Sequence, residues 1–208
     1  MSDRLRRAFT LDAIRERAPL LAPLALVAVI NLATALAMRP AFHHAFARQP
    51  EQLARAVEVT VWLVAVAYPI VALAKAVVLA AMAWAVAALA GAFARLRTLV
   101  SLLLYGELVL LGSAVFTAVV VHVRGLDTLR APGDLLVSQG VDMFVDLRSP
   151  VGMAILQHTS VFYVAWFLFL CVALPGVTGV SRAVAIVTAL ALWASLLLFG
   201  VVRASFAA

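Results

Sequence analysis

The chain has 208 residues, 66% of them hydrophobic and only 12% charged, where an ordinary soluble domain carries about 25% charged residues. A mean hydropathy of +1.10 in 22.1 kDa leaves nearly every residue to membrane-spanning segments and excludes a separate soluble catalytic domain. The net charge of +6 is placed at the ends of apolar runs, which points to lipid head groups and away from nucleic acid.

Near the start, Thr10 can cap a short helix with Asp12 in its first turn. Leu11, Ile14 and Ala18 then share one face among Arg15, Glu16 and Arg17, the pattern of an amphipathic helix on a membrane surface. Residues 1–18 are therefore expected to form a cytoplasmic amphipathic segment, and 19–208 a five-helix membrane domain. Ala35-Leu36-Ala37 resembles a signal-peptide processing site, but the apolar run ahead of it exceeds the usual length of about 7–15 residues, so cleavage is not expected.

A hydrocarbon core of about 30 Å needs about 20 apolar residues in a helix. The first such run, 19–38, is closed by Arg39 and Pro40. A straight helix over 57–93 would be about 55 Å long, so Pro69 is read as a break, with 69–93 as the second crossing and 57–68 as an interfacial extension. After the Arg95 and Arg97 turn, 99–123 forms the third crossing, and the loop 124–150 follows, rich in Gly, Pro and Asp. The fourth crossing, 155–174, stops at Pro175-Gly176, and the fifth is 183–202. The fold class is thus all-α, a polytopic membrane protein.

With the N-terminus inside, the cytoplasmic side carries Arg4, Arg6, Arg7, Arg15, Arg17, Arg95, Arg97 and Arg182. The outer side carries Arg39, Arg48, Arg55, Arg124, Arg130, Arg148 and Arg203. The inner turns are short and dense in arginine, which orients the N-terminus to the cytoplasm and the C-terminus outside. The alanine load and the presence of one lysine, Lys75, among 16 cations fit the coding bias of a GC-rich bacterium.

Several motifs then align. Arg17-Ala18-Pro19-Leu20-Leu21-Ala22-Pro23-Leu24, Gly91 ahead of Arg95-Leu96-Arg97, Ser101 with Tyr105-Gly106, and Phe162 to Trp166 followed by Gly176-Val177-Thr178-Gly179-Val180-Ser181-Arg182 resemble bacterial members of the Yip family, relatives of the eukaryotic Ypt/Rab-interacting membrane proteins. The chain departs from that pattern at Ala90-Gly91-Ala92-Phe93, at Leu108-Val109-Leu110 and ahead of Phe162. The resemblance implies five membrane helices and, by analogy with eukaryotic members, a part in recruiting proteins to membranes or shaping them. Its bacterial members imply a fold and a topology with no assigned activity.

Lys75 and Glu107 alone among charged residues lie inside long apolar runs, where an ionisable group costs about 2.5–3.5 kcal/mol or more. Counted from the Arg95 turn at 1.5 Å per residue, they differ in depth by about 13 Å. Direct pairing is then marginal: Lys75 is expected to snorkel outward, and Glu107 to be uncharged and hydrogen-bonded to Tyr105, Ser101, Ser113 or a neighbouring helix. His43, His44, His122 and His158 all fall on the outer side with Asp142 and Asp146, a weak ligand set for Zn or Cu whose spacing fixes no geometry. Trp62, Tyr68, Trp84, Tyr105, Tyr163, Trp166 and Trp193 read mainly as interfacial belts, Cys171 as a small buried hydrophobe, and Asn31, Thr34, Gly112 and Ser113 as packing between membrane helices. The chain carries no CxxCH, phosphate-binding glycine loop, HExxH or nucleophile elbow, so no catalytic residue, cofactor or resident metal is expected. The expected function is a non-enzymatic inner-membrane scaffold or interaction protein. An accessory subunit of a larger complex and a transporter or channel component centred on Glu107 are the alternatives.

Overall fold

The computed structural model describes residues 11–47, 49–135, 137–140 and 149–206, and every regular element among them is helical. The helices are α1 (Leu11–Arg17), α2 (Leu21–Phe46), α3 (Glu51–Leu89), α4 (Leu96–Arg124), α5 (Pro150–His158), α6 (Val161–Thr178) and α7 (Arg182–Phe206), with two short 3-10 turns in the loop after α4. Five of them, α2, α3, α4, α6 and α7, are long and apolar enough to cross a membrane. The chain is a multi-pass membrane protein.

The central helix is α4. Of its apolar window 61% is buried inside the protein, against 17% for α2 and 28% for each of α3, α6 and α7. Leu99, Leu102, Leu103 and Leu104 fill the core with Trp166 and Leu170 of α6, Ala80 and Ala83 of α3, and Ala189 and Leu192 of α7. Two glycines let α6 approach. A Cβ at Gly106 would stand 2.6 Å from Trp166 Nε1, and one at Gly112 would stand 2.8 Å from Phe162 Cε1. Such close contact is what drives association where lipid removes the hydrophobic difference between helices.

The helix α1 exists as expected, but its apolar face is occupied by the bundle. Ile14 is buried in the main core, and α1 packs on α6 and α4. Ala18 turns the chain with a φ of +42°, held by Arg97 Nε donating to its carbonyl at 3.3 Å and Ser101 Oγ donating to Pro19 O at 2.7 Å. The expected cap at Thr10 lies outside the described residues.

Several helices run past the expected crossings. α2 continues through Arg39 and Pro40 to Phe46 because Ala41 and Ala45 pack against Ala118, Val121 and Leu129. α6 runs through Pro175 to Thr178 and closes at Gly179, whose φ is +76°. α3 is continuous through Pro69. Proline has no N–H, so the carbonyl four residues back, that of Ala65, loses its helical donor. Asn31 Nδ2 of α2 donates to Ala65 O at 2.9 Å and fills the vacancy.

Elsewhere helices stop earlier. α3 ends at Leu89 and not at Phe93, because Gly91 (φ +76°) builds a paired cap: Ala92 N donates to Ala87 O at 2.9 Å and Gly91 N to Ala88 O at 3.0 Å. The expected helix over 155–174 is broken at Thr159-Ser160 into α5 and α6. Ser149 caps α5 by accepting from Gly152 N at 3.0 Å. Its last residue is held to α7, where Trp193 Nε1 donates to His158 O at 3.0 Å. The start of α6 is fixed by the loop, since Val161 N donates to Gln139 O at 3.0 Å.

Candidate functional site

Glu107 follows Gly106 on the central helix, 11 residues beyond Leu96, or about 16 Å along the axis and so near the middle of a core of about 30 Å. It is 2% exposed. Lys75 of α3 reaches it directly, with Nζ 2.6 Å from Glu107 Oε1. Tyr68 Oη donates to the other oxygen, Oε2, at 3.2 Å. Both carboxylate oxygens are therefore engaged by one face of α3, since residues seven apart lie two turns along the same side.

This corrects the sequence expectation that direct pairing is marginal and that Lys75 snorkels outward. The error lay in the helix ends. With α3 stopping at Leu89 and irregular chain up to Arg95, Lys75 lies 14 residues from its helix end, about 21 Å. The depth difference shrinks from about 13 Å to about 5 Å, within reach of a lysine side chain. Of the partners expected for Glu107, Ser101 bonds Pro19 O and Ser113 bonds the Gln139 side chain, and it is the neighbouring helix that supplies the hydrogen bond, from Tyr68. Lys75 keeps 28% of its side chain exposed, so the pair is shut on the glutamate side and open on the lysine side.

Packed beside it, Trp166 is fully buried against Gly106, and its Nε1 has no hydrogen-bond partner among the described residues. Tyr105 is also buried, so two residues assigned to interfacial belts are core residues, and Trp193, half-buried against that core, bonds His158. Trp84, 47% exposed on α3, does face the bilayer. Cys171 is half-buried.

The four histidines do not converge. The rings of His122 and His158 turn Nδ1 to carbonyls of their own helices, Ala118 O and Ala154 O, each at 2.8 Å. His158 also stacks near Tyr163 at 4.6 Å between ring centroids. His43 Nε2 lies 3.9 Å from Glu58 Oε1, and His44 is exposed. No three His, Cys, Asp or Glu side chains among the described residues are placed to hold a metal ion; Asp142 and Asp146 lie outside those residues.

Sequence reasoning missed Gln139. Its Nε2 donates to Thr117 Oγ1 at 2.6 Å and to Ser113 O at 3.2 Å, tying the loop that follows α4 into that helix. With His158, Ser160 and Tyr163 it lines a cavity of about 320 Å³ beside the loop that follows α4. Nearby in the loop, Asp134 accepts backbone N–H bonds from Arg130 and Ala131 at 2.7 and 2.8 Å, which hold its carboxyl below the usual value. The Tyr68 and Lys75 spacing was the legible signal for the ion pair; Gln139 carried none, because its partners are set by the loop's return path.

No protein-family model, curated protein or solved structure matches this chain.

Proposed function

We propose that the chain is a non-enzymatic scaffold of the bacterial inner membrane, of the Yip type, that works by lateral contact with lipid and with other membrane proteins. The observation that carries this reading is the unequal packing of the helices. α4 is enclosed, whereas the α2 and α3 hairpin turns most of its surface outward, with Leu63, Val66 and Ile70 of α3 exposed at 66%, 70% and 72%. On the same helix Ala74, Ala81, Ala85 and Ala88 are exposed, and small residues are what a second membrane helix packs against. The Lys75–Glu107 pair, buried between α3 and α4, serves here to fix the register of the hairpin on the central helix.

A photo-crosslinking residue at Ala81, activated in native membranes, is expected to give a protein adduct of defined mass, absent when the residue sits at Val172 of α6. Lipid adducts alone at Ala81 would refute the scaffold reading, and co-purification at fixed stoichiometry would favour the accessory subunit. The arginine-dense inner turns support a cytoplasmic N-terminus and an external C-terminus. A cysteine at Gly133 is then expected to react with an impermeant reagent from outside, and labelling by permeant reagents only would invert the topology.

One observation favours a second reading, a transporter or channel component. An ionisable pair at mid-membrane is a functional site by default, and Lys75 is open on one side. Glu107→Gln separates the two: a folded variant that loses ion or proton flux in liposomes supports transport, and one that keeps its cellular phenotype supports the scaffold.

A further inference from the structure

Tyr163 of α6 belongs to two places at once. It lines the cavity beside the loop that follows α4, with Ser113, Thr117, Gln139, His158 and Ser160, and it lies within electrostatic reach of both Glu107 and Tyr68 at the buried pair. On α4 the cavity residues Ser113 and Thr117 stand six and ten residues beyond Glu107, about 9 and 15 Å along the axis. Tyr163 is the side chain common to both ends of that interval.

The cavity, about 320 Å³, offers many times the about 15 Å³ that one water molecule requires. Gln139 commits its amide to Ser113 and Thr117, but Ser160, at the start of α6, makes no side-chain cap bond. His158 Nδ1 lies 2.8 Å from Ala154 O. A carbonyl only accepts, so Nδ1 carries the hydrogen and Nε2 is the basic nitrogen. With the His158 and Tyr163 rings 4.6 Å apart between centroids, a proton acceptor and a phenol share one wall.

Few ionisable groups surround Glu107. α3 supplies Lys75 at 2.6 Å and Tyr68 at 3.2 Å, α6 supplies Tyr163, α4 itself adds the buried Tyr105, and α7 sets Arg203 within electrostatic reach of Tyr163. α2 passes this level with Val27 packed on Ala72 and Leu111 and carries Arg39, His43 and His44 toward its far end. On α1, Arg15, Glu16 and Arg17 are exposed. A proton arriving at Glu107 turns the carboxylate into the neutral acid and cancels the attraction that holds Lys75. That side chain, already 28% exposed, then carries its ammonium outward along α3.

We propose that Glu107 is a proton-binding site loaded from this cavity by way of Tyr163, from the membrane face on which the loop after α4 emerges, and that loading releases Lys75. The inference rests on the premise of the transport reading, that the pair is functional; it names the ion and its route, needs no net flux and holds in either orientation of the chain.

The test uses the full chain. Infrared difference spectra between neutral and acidic pH in micelles are expected to show a protonated-carboxyl C=O band that a folded Glu107→Gln variant lacks; identical spectra from the two would overturn the site. After an acid jump, tryptophan fluorescence follows loading through Trp166, which is buried against Gly106. Tyr163→Phe keeps the ring and its packing and is expected to slow that change about 10²-fold, the low end of what a positioned proton-transfer group contributes, with the same final amplitude. Equal rates in Tyr163→Phe and the natural chain would overturn the route. Ser160→Phe, which fills the cavity, is expected to slow loading as well, and Val172→Phe on the exposed face of α6 to leave it unchanged; the Tyr163→Phe result stands even if Ser160→Phe fails to fold. In liposomes whose orientation is scored by impermeant labelling of a cysteine at Gly133, the fast signal is expected to follow acid added on the labelled face, and a fast signal from the opposite face would overturn the proposal. A chain that shows the band and the one-sided signal without proton flux would refute the transport reading alone.

Discussion

Removing either member of the Lys75–Glu107 pair is expected to destabilise the fold, and by unequal amounts. Lys75→Met leaves a carboxylate that is 2% exposed with only the Tyr68 hydroxyl at 3.2 Å for company, the situation of a broken buried pair that costs about 3–5 kcal/mol. Glu107→Gln leaves an amine whose side chain is 28% exposed. It can turn its stem along the helix surface and carry its charge toward water, while the amide oxygen keeps the Tyr68 bond, so the cost falls to about 1–2 kcal/mol. The double variant Lys75→Met with Glu107→Gln removes both charges and is expected to cost about 1 kcal/mol or less. The coupling is then about 3 kcal/mol or more, well above the additive limit of about 0.5 kcal/mol for independent sites. Reversible unfolding in mixed micelles, followed by tryptophan fluorescence, reads all four states, since Trp166 is fully buried in the same core. Equal single costs that simply add in the double variant would refute both the contact and its one-sided exposure.

Asn31→Leu is expected to cost about 1 kcal/mol, the scale of interhelical hydrogen bonds in membranes. In a Pro69→Ala background, where the new N–H reaches Ala65 O, the same change should cost under half as much; an unchanged cost would sink the vacancy argument. Gly106→Ala drives a methyl to 2.6 Å from the fully buried Trp166 Nε1 and is expected to cost about 1–3 kcal/mol by overpacking. Gly133→Ala, with nothing within 4 Å, should change stability by less than about 0.5 kcal/mol, both measured by thermal unfolding. For Asp134 the folded-state pKa is lowered, so the loop contacts are complete above the ordinary aspartate value of 3.8 and are lost as pH falls through the lower folded value. The amide NMR signals of Arg130 and Ala131 should titrate with a midpoint below 3.8, and Asp134→Asn should abolish the titration; a midpoint at or above that value would contradict the bonding seen.

By itself the sequence determined the class of the protein, the number of membrane helices and the rank of Lys75 and Glu107 as the residues to watch. Those properties add along the chain: transfer of apolar residues to lipid sums over a window of about 20 positions, and a charge in that window stands out whatever surrounds it. The tertiary structure alone decided where helices end and what the charges touch. Pro40 and Pro175 read as stops, yet both lie inside helices, because packing against neighbouring helices outweighs a lost hydrogen bond when that packing continues. Pro69 is tolerated because a donor arrives from another helix, which no local pattern encodes. The ion pair depended on the same thing. A few residues of error at Gly91 became several ångströms of apparent depth, because each helical residue adds 1.5 Å, and contacts between helices are set by where the rods begin.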